Sequence, residues 1–252
     1  MKQIPNIFTL LNLACGFIAI ILILQTGESI LNMQDGAWRI FMPERIWWAS
    51  VLIGAAAVID FLDGFVARLF KATSEMGKQL DSLADVVSFG VAPGLILYQL
   101  LRIAYAQQPD GLDISMAWLL PAAIFPMAAA WRLARFNLDI TEREGFQGLP
   151  TPAAGLLVAS FPLILLYNPF NIQTWILQPW ILYVISLLLS WMMVSSLPLL
   201  NLKFKSMDFA SNKSRYILLG LSALCFLLPG WLAVPAIFIC YIAVSLLFKN
   251  RN

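Results

Sequence analysis

Runs of about 20 predominantly apolar residues recur along this chain, and that spacing limits what it can fold into. A hydrocarbon core about 30 Å thick is crossed by roughly 20 helical residues, each segment satisfying its own backbone hydrogen bonds. Only 12% of the 252 residues are charged and 60% are hydrophobic, with a mean hydropathy of +0.80. Charge that scarce cannot cover a soluble domain, whose usual charged fraction is about 25%. The fold class is therefore all-α, a polytopic membrane helix bundle, read as one integral-membrane domain over residues 1–252.

The pattern predicts eight spans. The first covers 7–26, with Pro5 at its entrance, where proline is tolerated. A cleaved signal peptide is disfavoured there, because Lys2 alone makes a thin basic region and QTGES offers no small-residue cleavage site. Residues 27–45 read as a polar connection. The second span begins near Ile46 and ends at Lys71, and the third runs from about Lys78 to Ala104. The fourth covers about 116–136, the fifth 153–168 and the sixth 175–199. The seventh covers 216–228, and the eighth 231–248 after the turn signal Pro229-Gly230. Eight spans put both termini on one side. With that side cytoplasmic, 13 of the 16 basic residues lie inside, leaving Arg39, Arg45 and Arg102 outside or buried. The expected setting is the cell (inner, cytoplasmic) membrane.

Several functions are excluded at once. A net charge of +2 without a basic, aromatic-interleaved cluster argues against nucleic acid. Cys15, Cys225 and Cys240 lie in apolar runs without CxxC spacing and read as small buried hydrophobes. The chain has no histidine, which removes Ser-His-Asp triads, histidine-containing zinc sites and imidazole bases. Proton transfer near neutral pH falls to a carboxylate, Lys, Tyr, Cys or water.

Against this background the stretch DFLDGFVARLFKATSEMGKQLDSLAD, residues 60–85, stands out. A carboxylate at bilayer depth costs a few kcal/mol or more. Asp60 and Asp63 fall at i, i+3 on one helix, and Asp81 and Asp85 at i, i+4 on the next. Two facing carboxylate pairs suit one or two Mg²⁺ or Mn²⁺ ions, which take oxygen ligands and serve phosphoryl displacements. Gly64 and Ala67 leave room for a substrate, and Arg68 can take a phosphate. Capping is the competing reading for Asp81 and Asp85, since acidic side chains favour a helix's first turns.

The spacing Asp60-x2-Asp63-Gly64-x2-Ala67-Arg68-x8-Gly77-x3-Asp81-x3-Asp85 resembles, position for position, the signature of the CDP-alcohol phosphotransferases. That resemblance implies transfer of a phosphate-bearing group from a CDP-linked donor to an alcohol, with release of CMP. It implies that Asp60, Asp63 and Asp81 hold the metal ions, two by expectation, and that Asp85 is both a ligand and the general base. Gly64, Ala67 and Arg68 would line the nucleotide and phosphate site. Ser74, with Thr73 as the alternative, would touch the nucleotide. Asn6, Thr9 and Asn12 give the first helix a polar stripe. In the family this region approaches the CDP moiety, though helix–helix hydrogen bonding explains such a stripe as well.

The flanks narrow the acceptor. The opening IPNIFTLLNLACG, the blocks SLADVVSFGVAP, WRLARFN and FQGLPTPAA, and the LKFK segment resemble integral-membrane phosphatidylserine synthases of bacteria and archaea. The resemblance implies CDP-diacylglycerol and L-serine as substrates, with a homodimer by family habit. Arg132 and Arg135 suit serine's carboxylate and Asn137 its ammonium, against the alternative that the arginines snorkel to the interface. Gly148 to Pro152 reads equally as a pocket lip or a plain helix entrance. Two other functions compete. One is the same chemistry on glycerol 3-phosphate or inositol phosphate, which would demand a more basic pocket. The other is a divalent-cation transporter, which often shows inverted repeats with paired broken helices, whereas only one aspartate hairpin is present.

Overall fold

The computed structural model describes residues 4–24, 31–34, 37–40, 43–69, 74–108, 111, 113–138, 146–200 and 212–248. Lys2, Lys71, Thr73, Arg143, Lys203, Lys205, Lys249 and Arg251 lie outside the described residues, as does the side chain of Ala67.

Ten α-helices are described, with short 3-10 turns, one π-helical stretch and two small β-ladders. Helix α1 (Ile4–Leu24) packs along α2 (Glu44–Leu69) and crosses α3 (Glu75–Asp85). The connection between α1 and α2 carries a hairpin, β1 (Leu31–Gln34) and β2 (Ala37–Ile40), antiparallel with Leu31 opposite Ile40. In β1 the alternation Leu-Asn-Met-Gln is the strand period, hidden in what reads overall as a polar loop.

Helix α3 does not stop at Asp85. It continues through a π-helical stretch, Val86–Val91, into α4 (Ala92–Ala106), making one rod of 32 residues at the centre of the bundle. Phe89, Ile96, Leu97, Leu100 and Leu101 on this rod are fully buried. The π stretch is locked to α1, because the Ser88 hydroxyl donates to the Asn12 carbonyl at 3.0 Å. Gly16 lets α1 approach this closely, since a Cβ there would sit 2.8 Å from the Ser88 Cα. Single π turns inside α-helices are frequent at functional sites.

After two 3-10 turns comes α5 (Ile124–Leu138), which packs against the later helix α8 (Pro179–Val194). Helix α6 (Thr151–Tyr167) lies against α2 and then bends by 114° into the segment Pro169–Ile176. Asn168, Phe170 and Asn171 adopt positive φ at this bend. The expected sixth span over 175–199 is interrupted. The short α7 (Gln173–Ile176) ends before Pro179 opens α8 (Pro179–Val194), and strand β4 (Pro198–Leu199) turns aside to pair with β3 (Phe146–Gln147). Proline at a helix's first position and extended backbone beyond its last account for both breaks. Helix α9 (Lys213–Cys225) has 13 residues, about 20 Å, which is short of a bilayer core, and packs against α10 (Ala233–Leu247).

Among the described residues, five helices are long and apolar enough to cross a membrane: Asn6–Leu24, Glu44–Val66, Glu75–Ala106, Met116–Leu138 and Gly230–Leu247. The bent pair around Asn168 makes a sixth if it counts as one crossing. Large apolar side chains such as Phe17, Val58, Phe61, Val184 and Leu187 are exposed on the bundle's outside, as lipid contact requires. The molecule is a helical membrane protein.

Candidate active site

The rod α3–α4 and helix α2 bring the signature aspartates together, and α1 covers them. Asp60 from α2 and Asp81 and Asp85 from α3 each offer a carboxylate oxygen, all within 4.8 Å of one another. The carboxyl groups of Asp60 and Asp81 lie within hydrogen-bonding reach of each other. Like charges at that separation repel by roughly 3–4 kcal/mol per pair at an effective dielectric of about 20. A group of this kind needs a cation or shared protons.

Asp63 lies beside the cluster and is held differently. Its Oδ2 accepts from the Thr9 hydroxyl on α1, while its Oδ1 is buried without a partner. A buried charged oxygen left unsatisfied costs about 1–3 kcal/mol or more. Three convergent carboxylates, a fourth with an unpartnered buried oxygen and no nitrogen or sulfur donor suit a hard divalent ion. The residues present therefore fit the metal expected from the sequence.

Helix α1 orients the acidic groups. Asn12 donates from Nδ2 to Asp85 Oδ1 at 3.2 Å, and its own Oδ1 is buried without a partner. Thr9 and Asn12 stand three residues apart, so one face of α1 meets a carboxylate on α2 and another on α3. Ser88, which no sequence motif marks, fixes the register of that contact through the Asn12 carbonyl.

The other residues predicted to contact the substrate lie on α2 and at the start of α3. A Cβ added to Gly64 would meet nothing within 4 Å, so the helix surface beside Asp60 and Asp63 is open. Arg68 is exposed and folds back along α2, its Nε donating to the Gly64 carbonyl at 2.8 Å. Ser74 caps the N-terminus of α3, accepting from the Gly77 amide at 3.0 Å. That is a structural use of the residue, and its hydroxyl proton remains available to a ligand.

The three residues expected around the acceptor separate. Arg132 is buried at 7% exposure and lies within electrostatic reach of Asp85. Its Nη1 donates to Thr151 Oγ1 at 3.1 Å, and its Nε has no partner among the described residues. Arg135 is exposed and donates to the Val194 carbonyl at 3.2 Å, pinning α5 to the end of α8. Asn137 donates to Ser82 Oγ at 2.8 Å, and its carbonyl accepts from Lys78 Nζ at 3.4 Å, tying α5 to α3. Of the three, Arg132 is the one whose charge reaches Asp85, whereas Asn137 bonds Ser82, the neighbour of Asp81 on α3, and Arg135 bonds the end of α8.

Nothing in the GLPTP run marks Thr151 as the partner of Arg132. Gly148 explains why that run can turn inward. It adopts φ +73°, and a Cβ there would lie 2.6 Å from the Ser195 carbonyl oxygen. The turn delivers Thr151, fully buried, to the guanidinium.

Comparison with known proteins places the chain in a family. A family model described as CDP-alcohol phosphatidyltransferase matches residues 2–192. The chain is similar to a CDP-diacylglycerol–serine O-phosphatidyltransferase of Mycobacterium leprae, 35% identical over 181 residues, covering 67% of this chain and 56% of that protein. It is also similar to a protein of that name from Helicobacter pylori, 42% identical over 125 residues, 49% of this chain and 48% of that one. A third, from Mycobacterium tuberculosis, is 30% identical over 248 residues, 96% of this chain and 76% of its own length. The match spans about half the length of the first two relatives.

Proposed function

Because the chain belongs to the CDP-alcohol phosphatidyltransferase family, we propose that it transfers the phosphatidyl group of CDP-diacylglycerol to L-serine, giving phosphatidylserine and CMP. The observation that carries this reading is the convergence of the carboxylates of Asp60, Asp81 and Asp85, together with the buried Arg132, whose charge reaches Asp85 and whose Nε has no partner among the described residues. The cluster suits a pyrophosphate donor, and a buried guanidinium suits an acceptor that carries its own carboxylate. The names of the relatives support serine as that acceptor.

Asp60, Asp63, Asp81 and Asp85 would hold Mg²⁺ or Mn²⁺, two ions in this reading. Bound there, the metal would neutralise the pyrophosphate oxygens and the departing CMP. The open surface at Gly64, with Ala67 and Arg68 further along α2, would receive the nucleotide and its phosphates, joined by Ser74 and by Thr9 and Asn12 on α1. Arg132 would hold serine by its carboxylate, with Arg135 and Asn137 at the rim. Asp85, held through Oδ1 by Asn12, would take the hydroxyl proton as the serine oxygen attacks the β-phosphorus. The new P–O bond forms as the bond to CMP breaks, and its electron pair leaves on the CMP phosphate.

The setting follows from the same reading. The whole chain would form one domain with an even number of crossings and both termini cytoplasmic, in the inner membrane, with the aspartates facing the cytoplasm, where serine and CMP are exchanged. The acyl chains stay in lipid between helices, and two copies form a homodimer. The test is incubation of purified protein with CDP-diacylglycerol, Mn²⁺ and isotopically labelled serine, followed by lipid extraction. Label in phosphatidylserine is expected. Turnover only with glycerol 3-phosphate or inositol phosphate would overturn the serine assignment.

A further inference from the structure

We infer that Cys225 and Cys240 are a disulfide-forming pair, a covalent modification site that staples α9 to α10. The two stand 15 positions apart, a spacing that matches no thiol motif, and only the packing of the two helices brings them together. Both lie beyond the segment 2–192 matched by the family model, so the site belongs to the C-terminal helix pair and not to the shared transferase core.

Cys225 is the last residue of α9 and Cys240 lies midway along α10, each half-buried. Their Sγ atoms are 3.8 Å apart. A disulfide bond is about 2.0 Å long, so closure asks for an approach of about 2 Å, within the swing of two cysteine side chains.

The staple would tie a loosely held helix to a well-anchored one. Among the described residues α9 finds its main packing in α10, around a small apolar cluster whose buried members are Leu200, Leu218 and Val244. Helix α10 has further anchors. Phe238 and Ile242 pack against the main core. Tyr241, next to Cys240, donates its hydroxyl to the Leu200 carbonyl at 3.2 Å, and Ser245 accepts from the Leu200 amide at 3.1 Å, so α10 clamps the chain just beyond β4. In the proposed orientation the Pro229-Gly230 turn that joins the two helices lies on the side away from the cytoplasm, where thiols are not held reduced.

The step is thiol–disulfide exchange with a disulfide-bearing oxidant. One cysteine thiolate attacks a sulfur of the oxidant, forming a mixed disulfide and expelling one oxidant thiolate. The other cysteine thiolate then attacks the protein sulfur, closing the bond and expelling the second. The two cysteine protons pass to the departing thiolates, so the oxidant is reduced to two thiols as the pair is oxidised.

The test treats the purified full chain in detergent with dithiodipyridine, a small neutral disulfide, followed by peptide mapping by mass spectrometry and thermal unfolding. A peptide linking Cys225 to Cys240 within one chain is expected, with neither sulfur carrying the reagent and the link reversed by dithiothreitol. The unfolding midpoint of the oxidised protein should exceed that of the reduced protein by about 5 °C or more, because the bond closes a loop in the unfolded chain. Cys225→Ser should lose both the link and the rise, and Cys15→Ser, on α1, should keep both. Cys225 and Cys240 recovered as separate mixed adducts, or linked between two chains, would overturn the inference. So would an oxidised protein that unfolds at the same temperature as the reduced one. Neither readout involves turnover, so the result stands apart from the serine reaction.

Discussion

In the proposed reaction Asp85 would serve as both metal ligand and base, and Asn12 holds the carboxylate that would do so. By donating to Oδ1, the asparagine fixes the carboxylate plane, and its own buried Oδ1 remains unpaired toward the site. Asp85→Asn is predicted to lower turnover by about 10³-fold or more, because it removes both a ligand charge and the base. Its melting temperature should hold or rise, since one member of a repelling cluster is neutralised. Substantial activity in that variant would remove the base assignment. Asn12→Ala should be milder, about 10- to 100-fold in kcat, as expected for a residue that orients a ligand. Its donor KM should change less than its kcat. At this scale the sequence is highly legible: fixed aspartate spacing on two helices needs no tertiary information to imply convergence. Thr151 and Tyr241 are not legible. Each is an ordinary polar residue at the edge of or within an apolar run, and only the turn at Gly148 and the clamp on Leu200 give them their partners.

The elements that matter most are α1 and the rod α3–α4. Sequence periodicity predicts both as apolar helices but carries no sign of the π stretch after Asp85, because a one-residue widening leaves the apolar pattern intact. The stretch is visible only through what it meets, Ser88 against Gly16 and Asn12. Gly16→Ala is predicted to destabilise the protein by about 1–3 kcal/mol, the usual cost of forcing a methyl into a closed contact. Thermal unfolding in detergent measures this, and a melting temperature equal to wild type would contradict the close approach. Ser88→Ala removes one hydrogen bond without a clash, so it should cost about 1 kcal/mol and reduce kcat through Asn12. The interrupted helices of the second half escape a hydropathy reading for a related reason. Hydropathy integrates over a window, whereas Pro179 and the positive-φ residues at 168, 170 and 171 act at single positions.

For the whole molecule, composition and apolar run length are enough by themselves to specify a membrane bundle. Among the described residues the helices of spanning length number five, or six with the bent pair. Tags at the two termini test the proposed orientation. Both should be protected from protease outside intact cells, and an accessible C-terminus beside a protected N-terminus would require an odd number of crossings. The central claim is that one carboxylate cluster turns a CDP-linked lipid over to serine. The most direct measurement is the rate of CMP release by purified protein from CDP-diacylglycerol, titrated with serine, with Mn²⁺ and after chelation. The account predicts release that rises with serine, disappears with chelator and returns when Mn²⁺ or Mg²⁺ is restored. Release that persists at full rate in chelator, or that ignores serine, would contradict it.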